Sequence, residues 1–329
     1  MATAARAVGN GQGPGFLGKS ARFWRENMVG WTFSSPFLIG FLTLTLIPMV
    51  LSVYYAFTTY NIATAPRWVG LYNFEALYRD VLFRKAVYNT LWYGAVATPL
   101  ALVGSLLLAL LLNTKVPGEN VFRTLFYLPS VLSGVPVAML WLWLLNPKNG
   151  LINVLLMSLG VQSPPSWLFD ADWAKPGMVI MRMWALGGGA VIFLAGLQDI
   201  PNHLLEAAEI DGANRWQRFR YVTLPMLSPT TFFQIVTSLI AVFQIFGPVY
   251  VWSYSVGRGT ASAGPQDSLL FYALYLYQIA FGARAGRSDL GRGSAMGWLL
   301  FLFILLLTMI QFRLARRWVY YETGSEGGA

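Results

Sequence analysis

The sequence contains no cysteine, and its only histidine is His203. Disulfides, thiolate metal sites and cysteine nucleophiles are therefore excluded, and one histidine argues against a histidine metal site or a catalytic triad. Charge is scarce as well, since 11% of the 329 residues are charged, against about a quarter in ordinary soluble domains. With 56% hydrophobic residues, this composition indicates an integral membrane protein with no metal site and no enzymatic activity of its own.

Long hydrophobic runs, in contrast, are plentiful. About 20 apolar residues rising 1.5 Å each cover the ~30 Å hydrocarbon core of a bilayer, so a run of that length predicts one membrane-spanning helix. The sequence predicts an all-α membrane protein with six such spans, near residues 34–56, 91–113, 125–146, 177–198, 230–252 and 294–312.

The two chain ends are polar. Residues 1–32 are predicted as an N-terminal segment containing a basic amphipathic helix, with Lys19, Arg22 and Arg25 at the membrane surface. Gly13 to Ser20 matches the phosphate-loop pattern, but too little chain precedes it to form the strand that such a loop needs, so we interpret the match as chance. We attribute the net charge of +9 to lysines and arginines that contact lipid and set the orientation in the membrane, rather than to nucleic-acid binding.

Ser268 to Ala283 is the ambiguous apolar stretch. It is short for a span and contains Gln278, so we expect a re-entrant or interfacial helix outside the cytoplasm. If it did span the membrane, the C-terminal tail would change sides. Lys and Arg are only weakly biased between the two sides overall, although the bias is stronger near the helix ends.

A polar loop joins the fourth and fifth spans and reads as two short helices. Pro201 is expected in the first turn of the first helix, Gly212 to end it, and Asn214 to cap the second helix. The small side chains of Ala207 and Ala208 leave a low surface that another protein could approach closely. The loop is therefore predicted to fit into a groove of a partner.

The spacing within this loop resembles the cytoplasmic signature loop of the membrane subunits of binding-protein-dependent ABC importers. The pattern is Glu-Ala-Ala, a glycine at the sixth position after the glutamate, and an aliphatic residue, one spacer and Leu-Pro further on. It is filled by Glu206, Ala207, Ala208, Gly212, Val222, Leu224 and Pro225. The resemblance implies the type I permease fold, with a cytoplasmic coupling loop over residues 199–229 that docks on an ATPase through Glu206, Ala207, Ala208, Asp211, Gly212, Leu224 and Pro225.

Other stretches resemble the carbohydrate branch of these permeases, the maltose, lactose and glycerol-phosphate type. They are Trp68 to Glu75, Asn89 to Trp92 and Gly150 to Asn153, while Pro36 to Gly40 resembles the first of the two paired permeases. Residues 253–292 depart from the family pattern through an Arg- and Gly-rich insertion, which leaves the outer face and the substrate open.

The resemblance also implies partners and a location. The expected partners are a second, distinct permease, an ATPase dimer that carries ATP and Mg²⁺, an extracytoplasmic binding protein and a sugar. This chain would bind no cofactor of its own. Residues 33–318 would form the permease domain in a bacterial or archaeal cytoplasmic (inner) membrane, with both termini, including the tail 319–329, in the cytoplasm.

The substrate path is predicted from the few polar residues within the spans. Gln234, Gln244 and Phe246 in the fifth span could hydrogen-bond and stack against a sugar, and Arg182 lies near the predicted outer end of the fourth span, where it either contacts substrate or snorkels to the interface. A run of glycines in the fourth span, residues 187–189, indicates either close helix packing or bending.

In the outer loop between the third and fourth spans, Trp167 and Asn153 are predicted to contribute to the surface on which the binding protein docks. Two other classes remain as alternatives, a secondary transporter or channel and an intramembrane enzyme. Both are disfavoured, since the central spans carry no Asp, Glu or Lys to bind an ion or to catalyse a reaction. Importers of glycerol-phosphate, polyols and oligosaccharides cannot be distinguished at this level.

Overall fold

A computed structural model describes residues 21–114, 117–132, 134–256, 262–283 and 286–320. The chain divides into two units, Met1–Tyr54 and Tyr55–Ala329. The phosphate-loop match and Lys19 lie outside the described residues. So do residues 321–329, most of the predicted tail.

The first unit is helical from Ala21. Helix α1 (Ala21–Phe41) leads through a π-helical turn (Leu42–Leu46) into α2 (Ile47–Ala56). The turn ends two residues before Pro48, which has no N–H to donate and whose ring crowds the carbonyl of Leu44, so the regular α-helical ladder cannot continue there. The described part of the predicted interfacial segment thus belongs to the same helix as the start of the first span.

The second unit begins with a feature that an all-α prediction leaves out, a short antiparallel hairpin. Strands β1 (Thr58–Asn61) and β2 (Thr64–Trp68) pair with each other. The side-chain Oδ1 of Asn61 accepts hydrogen bonds from the backbone N–H groups of Ala63 and Thr64 at 3.0 and 2.7 Å. This is the way in which asparagine stabilises a tight turn.

Helices make up most of the rest of the second unit. They are α3 (Tyr72–Arg79), α4 (Val81–Leu112), α5 (Glu119–Val131), α6 (Gly134–Leu144), α7 (Leu151–Ser158), α8 (Ala171–Trp184), α9 (Gly187–Gln198), α10 (Asn202–Ile210), α11 (Arg215–Arg218), α12 (Leu224–Met226), α13 (Ser228–Phe243), α14 (Gly247–Val256), α15 (Tyr272–Ala280) and α16 (Leu290–Ala315).

Among the described residues, four helical stretches are long and apolar enough to cross a membrane. They are Asn27–Ala56, Val81–Leu112, Ser228–Val256 and Leu290–Ala315. Two pairs of helices, α5 with α6 and α8 with α9, are also long and apolar enough to cross a membrane if each pair is counted as one span. This gives up to six spans. All six coincide with the predicted runs, but most extend further than the uncharged core that the sequence marks.

The fourth span is bent by 46° between α8 and α9. Its second half starts with the glycine run, and a Cβ on Gly187 would lie 2.0 Å from the carbonyl oxygen of Phe126 in α5. A side chain at residue 187 would therefore push α5 away. Gly187 therefore serves close packing and lies at the bend, while bending during transport stays a prediction.

Two buried clusters hold the second unit together. The larger contains Tyr93, Met178 and Trp252, whose indole N–H donates to the carbonyl oxygen of Ala138 at 2.9 Å. The smaller contains Phe193 in α9 and Leu227, which follows α12. It lies where the fourth and fifth spans meet the polar loop that joins them.

The ambiguous stretch 268–283 contains only the short helix α15, packed against α4 and α16. Asn89 of α4 donates to the carbonyl oxygens of Asp267 and Leu270, both at 3.0 Å, and Thr90 accepts from the N–H of Tyr272 at 2.8 Å. These buried bonds attach the stretch to the end of α4 that is remote from the α10–α12 loop.

Candidate functional site

The loop between α9 and α13, residues 202–227, forms two helices with a tight turn between them. Gly212 has φ +82°, and its N–H donates to the carbonyl oxygen of Glu209 at 3.0 Å, which is how a left-handed glycine ends a helix. Asn214 then begins α11 with a capping box, in which its side chain accepts from the N–H of Gln217 at 2.9 Å and its own N–H donates to the Gln217 side chain at 2.7 Å. Pro201, expected in the first turn, instead immediately precedes α10.

An ion pair fixes the two loop helices relative to each other. The guanidinium of Arg218 lies 2.7 Å from the carboxylate of Glu209, and the rings of Trp216 and Phe219 are 5.6 Å apart. The pair is partly exposed, so its contribution to stability is small. Together with the capping box, it gives this polar loop one defined conformation.

The exposed surface of the 202–227 loop is more apolar than its sequence indicates. Ile210 is 86% exposed, Tyr221 73% and Trp216 68%. Glu206, Ala207, Asp211 and Gly212 are also exposed, as is Pro225, whereas Ala208 and Leu224 are half-buried. A short helix that presents small residues beside a large exposed aliphatic side chain suits insertion into a partner's groove.

The second half of the loop passes into the fifth span with little interruption. After α11 comes a π-helical turn (Phe219–Thr223), then α12 and α13. Ser228 Oγ donates to the carbonyl oxygen of Pro225 at 2.6 Å and accepts from the N–H of Tyr320 at 2.8 Å. A displacement of the loop therefore reaches the fifth span directly.

The fifth span is interrupted at the residue that the sequence singles out for the substrate path. Gln244 ends α13, and α14 starts at Gly247. The side chain of Gln244 is exposed, and Phe246 is half-buried. Interrupted helices at mid-span are a common way of placing polar groups along a transport path.

Phe246 begins a run of aromatic side chains that leads away from the 202–227 loop. Ring centroids in this aromatic cluster lie between 4.7 and 5.6 Å apart. Three of its five rings carry hydroxyl groups, and all five are at least partly exposed. The members of the aromatic cluster are Phe246, Tyr250 and Tyr254 of the fifth span, Tyr277 of α15, and Phe281, which directly follows α15.

Arg182 and Gln234 come together at the bend of the fourth span, where they line a cavity of about 220 Å³. The sequence suggests a position near the outer end of the fourth span for Arg182. Helix α8 begins at Ala171, so Arg182 lies about 16 Å along the helix axis, well inside the pair of helices formed by α8 and α9.

Trp167 and Asn153 contact each other but do not form a docking surface. The indole N–H of Trp167 donates to Asn153 Oδ1 at 2.6 Å, and the two residues are 6% and 1% exposed. Asn153 also donates to the carbonyl oxygens of Pro147 and Pro165, each at 3.1 Å. The two buried side chains hold the backbone of the loop between α6 and α8 through these hydrogen bonds. Any contact with a partner must therefore come from neighbouring exposed residues.

Several candidate residues were missed at the sequence level. Tyr250 and Tyr254 follow at every fourth position after Phe246, which the sequence did single out, and Tyr277 and Phe281 repeat that spacing, so an aromatic stripe was visible. Ser105 and Ser238 also line the cavity with Arg182. No local pattern marks them, because only tertiary packing brings α4 and α13 to the bend between α8 and α9.

Up to six apolar spans and a structured, exposed helical loop define a polytopic helical membrane protein. The chain belongs to the family described as the binding-protein-dependent transport system inner membrane component, which its sequence matches over residues 101–320. It is thus a membrane-embedded permease, a transport component of an ABC importer.

Individual relatives resemble the chain over almost its full length. It is 39% identical to the probable ABC transporter permease protein YesP of Bacillus subtilis (strain 168), covering 96% of this chain and 99% of the relative. It is 32% identical to the lactose transport system permease protein LacF of Rhizobium radiobacter, over 87% and 94% of the two chains.

A solved structure shows the same fold. A chain of a bacterial ABC transporter involved in the import of the acidic polysaccharide alginate superposes with a TM-score of 0.75 at 24% identity. The match covers 90% of this chain and 99% of the other. The expected type I ABC importer permease fold is confirmed.

Proposed function

We propose that this chain is one of two permease subunits of an ATP-driven importer and that it passes a sugar delivered by an extracytoplasmic binding protein. The observation that carries the sugar assignment is the aromatic cluster, which runs from the interruption at Gln244 to Phe281. Relatives named for the transport of starch degradation products, lactose and arabinooligosaccharides support the same substrate class.

The aromatic cluster provides the two kinds of contact that bind sugars, ring stacking and hydrogen bonds. The apolar C–H faces of sugar rings stack on aromatic side chains, and tyrosine hydroxyls and the Gln244 amide can exchange hydrogen bonds with sugar hydroxyls. Neighbouring rings of the cluster lie between 4.7 and 5.6 Å apart, so a sugar can move from one ring to the next without leaving contact. A series of weak, similar contacts favours passage over retention.

The 202–227 loop is proposed to connect this path to a separate ATPase dimer, which binds ATP and Mg²⁺. Glu206, Ala207, Asp211 and exposed Ile210 would sit in a groove of that subunit. Movement of the groove on ATP binding would pass through α11 and α12 into the fifth span and reach the interruption at Gln244. This is a rigid-body mechanism, and its support is the nearly continuous helix that follows Asn214.

The same proposal sets the orientation. The 202–227 loop and both termini would lie in the cytoplasm, with α7 and α15 on the outer side of a bacterial or archaeal inner membrane. The arginines of the loop and those at the end of α16, Arg313, Arg316 and Arg317, would then follow the positive-inside tendency. The second permease is proposed to be a related but distinct chain.

Glycerol-phosphate or a polyol is the second candidate substrate, since relatives include sn-glycerol-3-phosphate permeases and Arg182 supplies a cation within a span. A secondary transporter is the weaker alternative. The central turns of the described spans carry no Asp, Glu or Lys, which ion-coupled carriers generally use to bind protons or cations.

The coupling role is tested by the substitution Glu206→Arg in the complete importer, purified in mild detergent. We expect the ATPase subunit to co-purify at less than a tenth of the wild-type amount, because the substitution reverses a charge and adds bulk at the docking helix. Uptake should be lost, while the amount of chain inserted in the membrane stays unchanged.

The matched control is Glu75→Arg, the same change at an exposed glutamate of α3 far from the loop in sequence. It should leave ATPase co-purification and uptake at wild-type levels. Normal uptake by Glu206→Arg would refute the assigned role of that residue, and purification of the wild-type chain without any ATPase would refute the importer proposal as a whole.

A further inference from the structure

The cavity at the bend of the fourth span, the Arg182 cavity, is enclosed by α4, α8, α9 and α13. Its volume of about 220 Å³ is far larger than the ~10–15 Å³ that one water requires. The polar side chains in its wall come from two serines, one glutamine and one arginine, and no carboxylate lines it. Its lining consists of Ala101, Leu102, Ser105, Arg182, Ala185, Leu186, Gly189, Gln234 and Ser238.

Two of these polar side chains are already engaged with the backbone. Ser105 Oγ donates to the carbonyl oxygen of Leu186 at 3.1 Å, and Gln234 Nε2 donates to the carbonyl oxygen of Gly189 at 2.8 Å. These bonds attach α4 and α13 to the start of α9. They leave the Arg182 guanidinium as the strongest donor that faces the cavity.

Arg182 has no anionic partner. No ion pair joins it to a carboxylate within the described part of the chain, and its Nε is buried without a hydrogen-bond partner there. The hydroxyl of Tyr93 interacts with the guanidinium but is neutral. A cation at mid-span without compensation is costly, and such residues generally mark a binding site or a pathway.

The start of α9 adds to the positive potential. This helix is long enough, Gly187–Gln198, for its first N–H groups and its dipole to favour an anion near its N-terminus. Glycine at residue 189 lets the two polar side chains approach this helix end, because a Cβ there would lie 2.6 Å from Ser105 Oγ and 3.2 Å from Gln234 Nε2. A side chain there would compete with the bonds that shape the cavity.

We propose that the Arg182 cavity binds an anionic oxygen group of the transported substrate, either the carboxylate of a uronic-acid residue or the phosphate of a sugar or polyol phosphate. The inference rests on the proposed function and narrows it from sugars in general to acidic ones. The aromatic cluster contacts the sugar rings, and Arg182 compensates the charge as it passes mid-membrane.

The experiment measures binding rather than transport. The complete importer is placed in lipid nanodiscs without binding protein or ATP, and glucuronate, glycerol 3-phosphate and glucose are titrated separately by saturation-transfer NMR. We expect one of the two anions to bind at least tenfold more tightly than glucose. Preference for glucuronate identifies a carboxylate site, and preference for glycerol 3-phosphate identifies a phosphate site.

Variants then locate the anion site. Arg182→Gln should abolish the preference for the anion, and Arg182→Lys should keep part of it, since the charge remains but the planar fork is lost. Arg123→Gln is the matched control, because Arg123 of α5 lies beside Glu119 and donates to the carbonyl oxygen of Leu112. It should bind like the wild type.

Two results would overturn the proposal: equal binding of both anions and glucose by the wild type, or an unchanged preference in Arg182→Gln. Co-purification of the second permease and the ATPase with the Arg182 and Arg123 variants shows that these variants are folded and assembled. Because binding is measured without ATP, Glu206→Arg should still prefer the anion. Failure of coupling and failure of the anion site are therefore distinguishable.

Discussion

Gly212 and Ile210 show how single residues prepare the 202–227 loop for a partner. Gly212 adopts the left-handed conformation that sends the chain back toward Arg218, and nothing lies within 4 Å of the position that a Cβ would occupy. Ile210 is almost fully exposed, so it contributes little to the fold of the isolated chain. Both observations fit the proposed docking of this loop.

Replacing Gly212 with alanine should impair docking through backbone strain alone. The left-handed conformation costs a residue with a Cβ about 1–2 kcal/mol. If α10 shifts to relieve that strain, ATPase association should weaken roughly five- to thirtyfold, measured by titration of the ATPase subunit onto the permease in nanodiscs.

The control for this prediction is Gly160→Ala. Gly160 has φ +91° and open space around it, so the strain is similar, but it follows α7 in the outer loop. The variant should lose comparable thermal stability and keep wild-type ATPase association. Equal association losses in both variants would show that general destabilisation, and not the docking loop, is responsible.

At the scale of elements, the aromatic cluster depends on α14 and α15 being brought together. Tyr250 is its centre, with ring contacts to Phe246, Tyr254 and Tyr277 at 5.3, 4.7 and 5.6 Å. Removal of this one ring would interrupt the proposed path between Phe246 and Phe281. The proposed function of these elements therefore depends on the rings being continuous.

Tyr250→Ala should reduce sugar uptake about tenfold while ATPase association is retained. Each aromatic contact contributes about 0.5–1.5 kcal/mol beyond burial, and several are lost together. Tyr250→Phe keeps the stacking and should retain most of the uptake. The comparison variant Phe301→Ala removes a ring of α16 that is paired with Trp298 at 5.3 Å and should transport normally. Wild-type uptake by Tyr250→Ala would exclude the aromatic cluster from the path.

The elements also show how far the sequence could be read. Hydrophobic run length predicted six spans, because apolar length is a direct requirement of the bilayer. It could not predict that the fifth span is interrupted at Gln244, since the residues on both sides are equally apolar. The glycine run did mark the bend in the fourth span.

Local sequence patterns could not predict the contacts between elements that lie far apart in the chain. Trp167 and Asn153 looked like surface residues of a polar loop, but their mutual hydrogen bond at 2.6 Å allows both to be buried. The Arg182 cavity likewise depends on how α4 and α13 approach the bend. The structure of the 202–227 loop was easier to predict, because its turn and its helix caps are local and follow well-defined residue preferences.

At the scale of the whole second unit, buried polar side chains hold the stretch 262–283 at one end of the bundle. Asn89 also accepts from Lys175 of α8 at 3.3 Å, and the Tyr275 hydroxyl donates to the Asp80 carboxylate. Segments from α4, α8 and α15 are thereby joined at the end remote from the 202–227 loop. The loop that is proposed to dock on the ATPase and this hydrogen-bonded stretch therefore lie at opposite ends of the second unit.

This arrangement makes a prediction about topology that the absence of cysteine makes easy to test. Single cysteines at exposed positions Ile210, Leu159 and Phe281 can be labelled with a membrane-impermeant maleimide in intact cells and in inverted vesicles. We expect Ile210→Cys to react only in inverted vesicles and Leu159→Cys only in intact cells. Phe281→Cys should react only in intact cells too, because α15 is too short to cross the membrane.

Leu274→Cys is the internal control, since Leu274 is fully buried and should react from neither side until the protein is denatured. Labelling of Phe281→Cys only in inverted vesicles would mean that residues 268–283 cross the membrane, which would also move the C-terminus to the outside. Labelling of Ile210→Cys in intact cells would place the 202–227 loop on the outer face. An ATPase in the cytoplasm could not reach it there, so that single result would contradict the coupling mechanism itself.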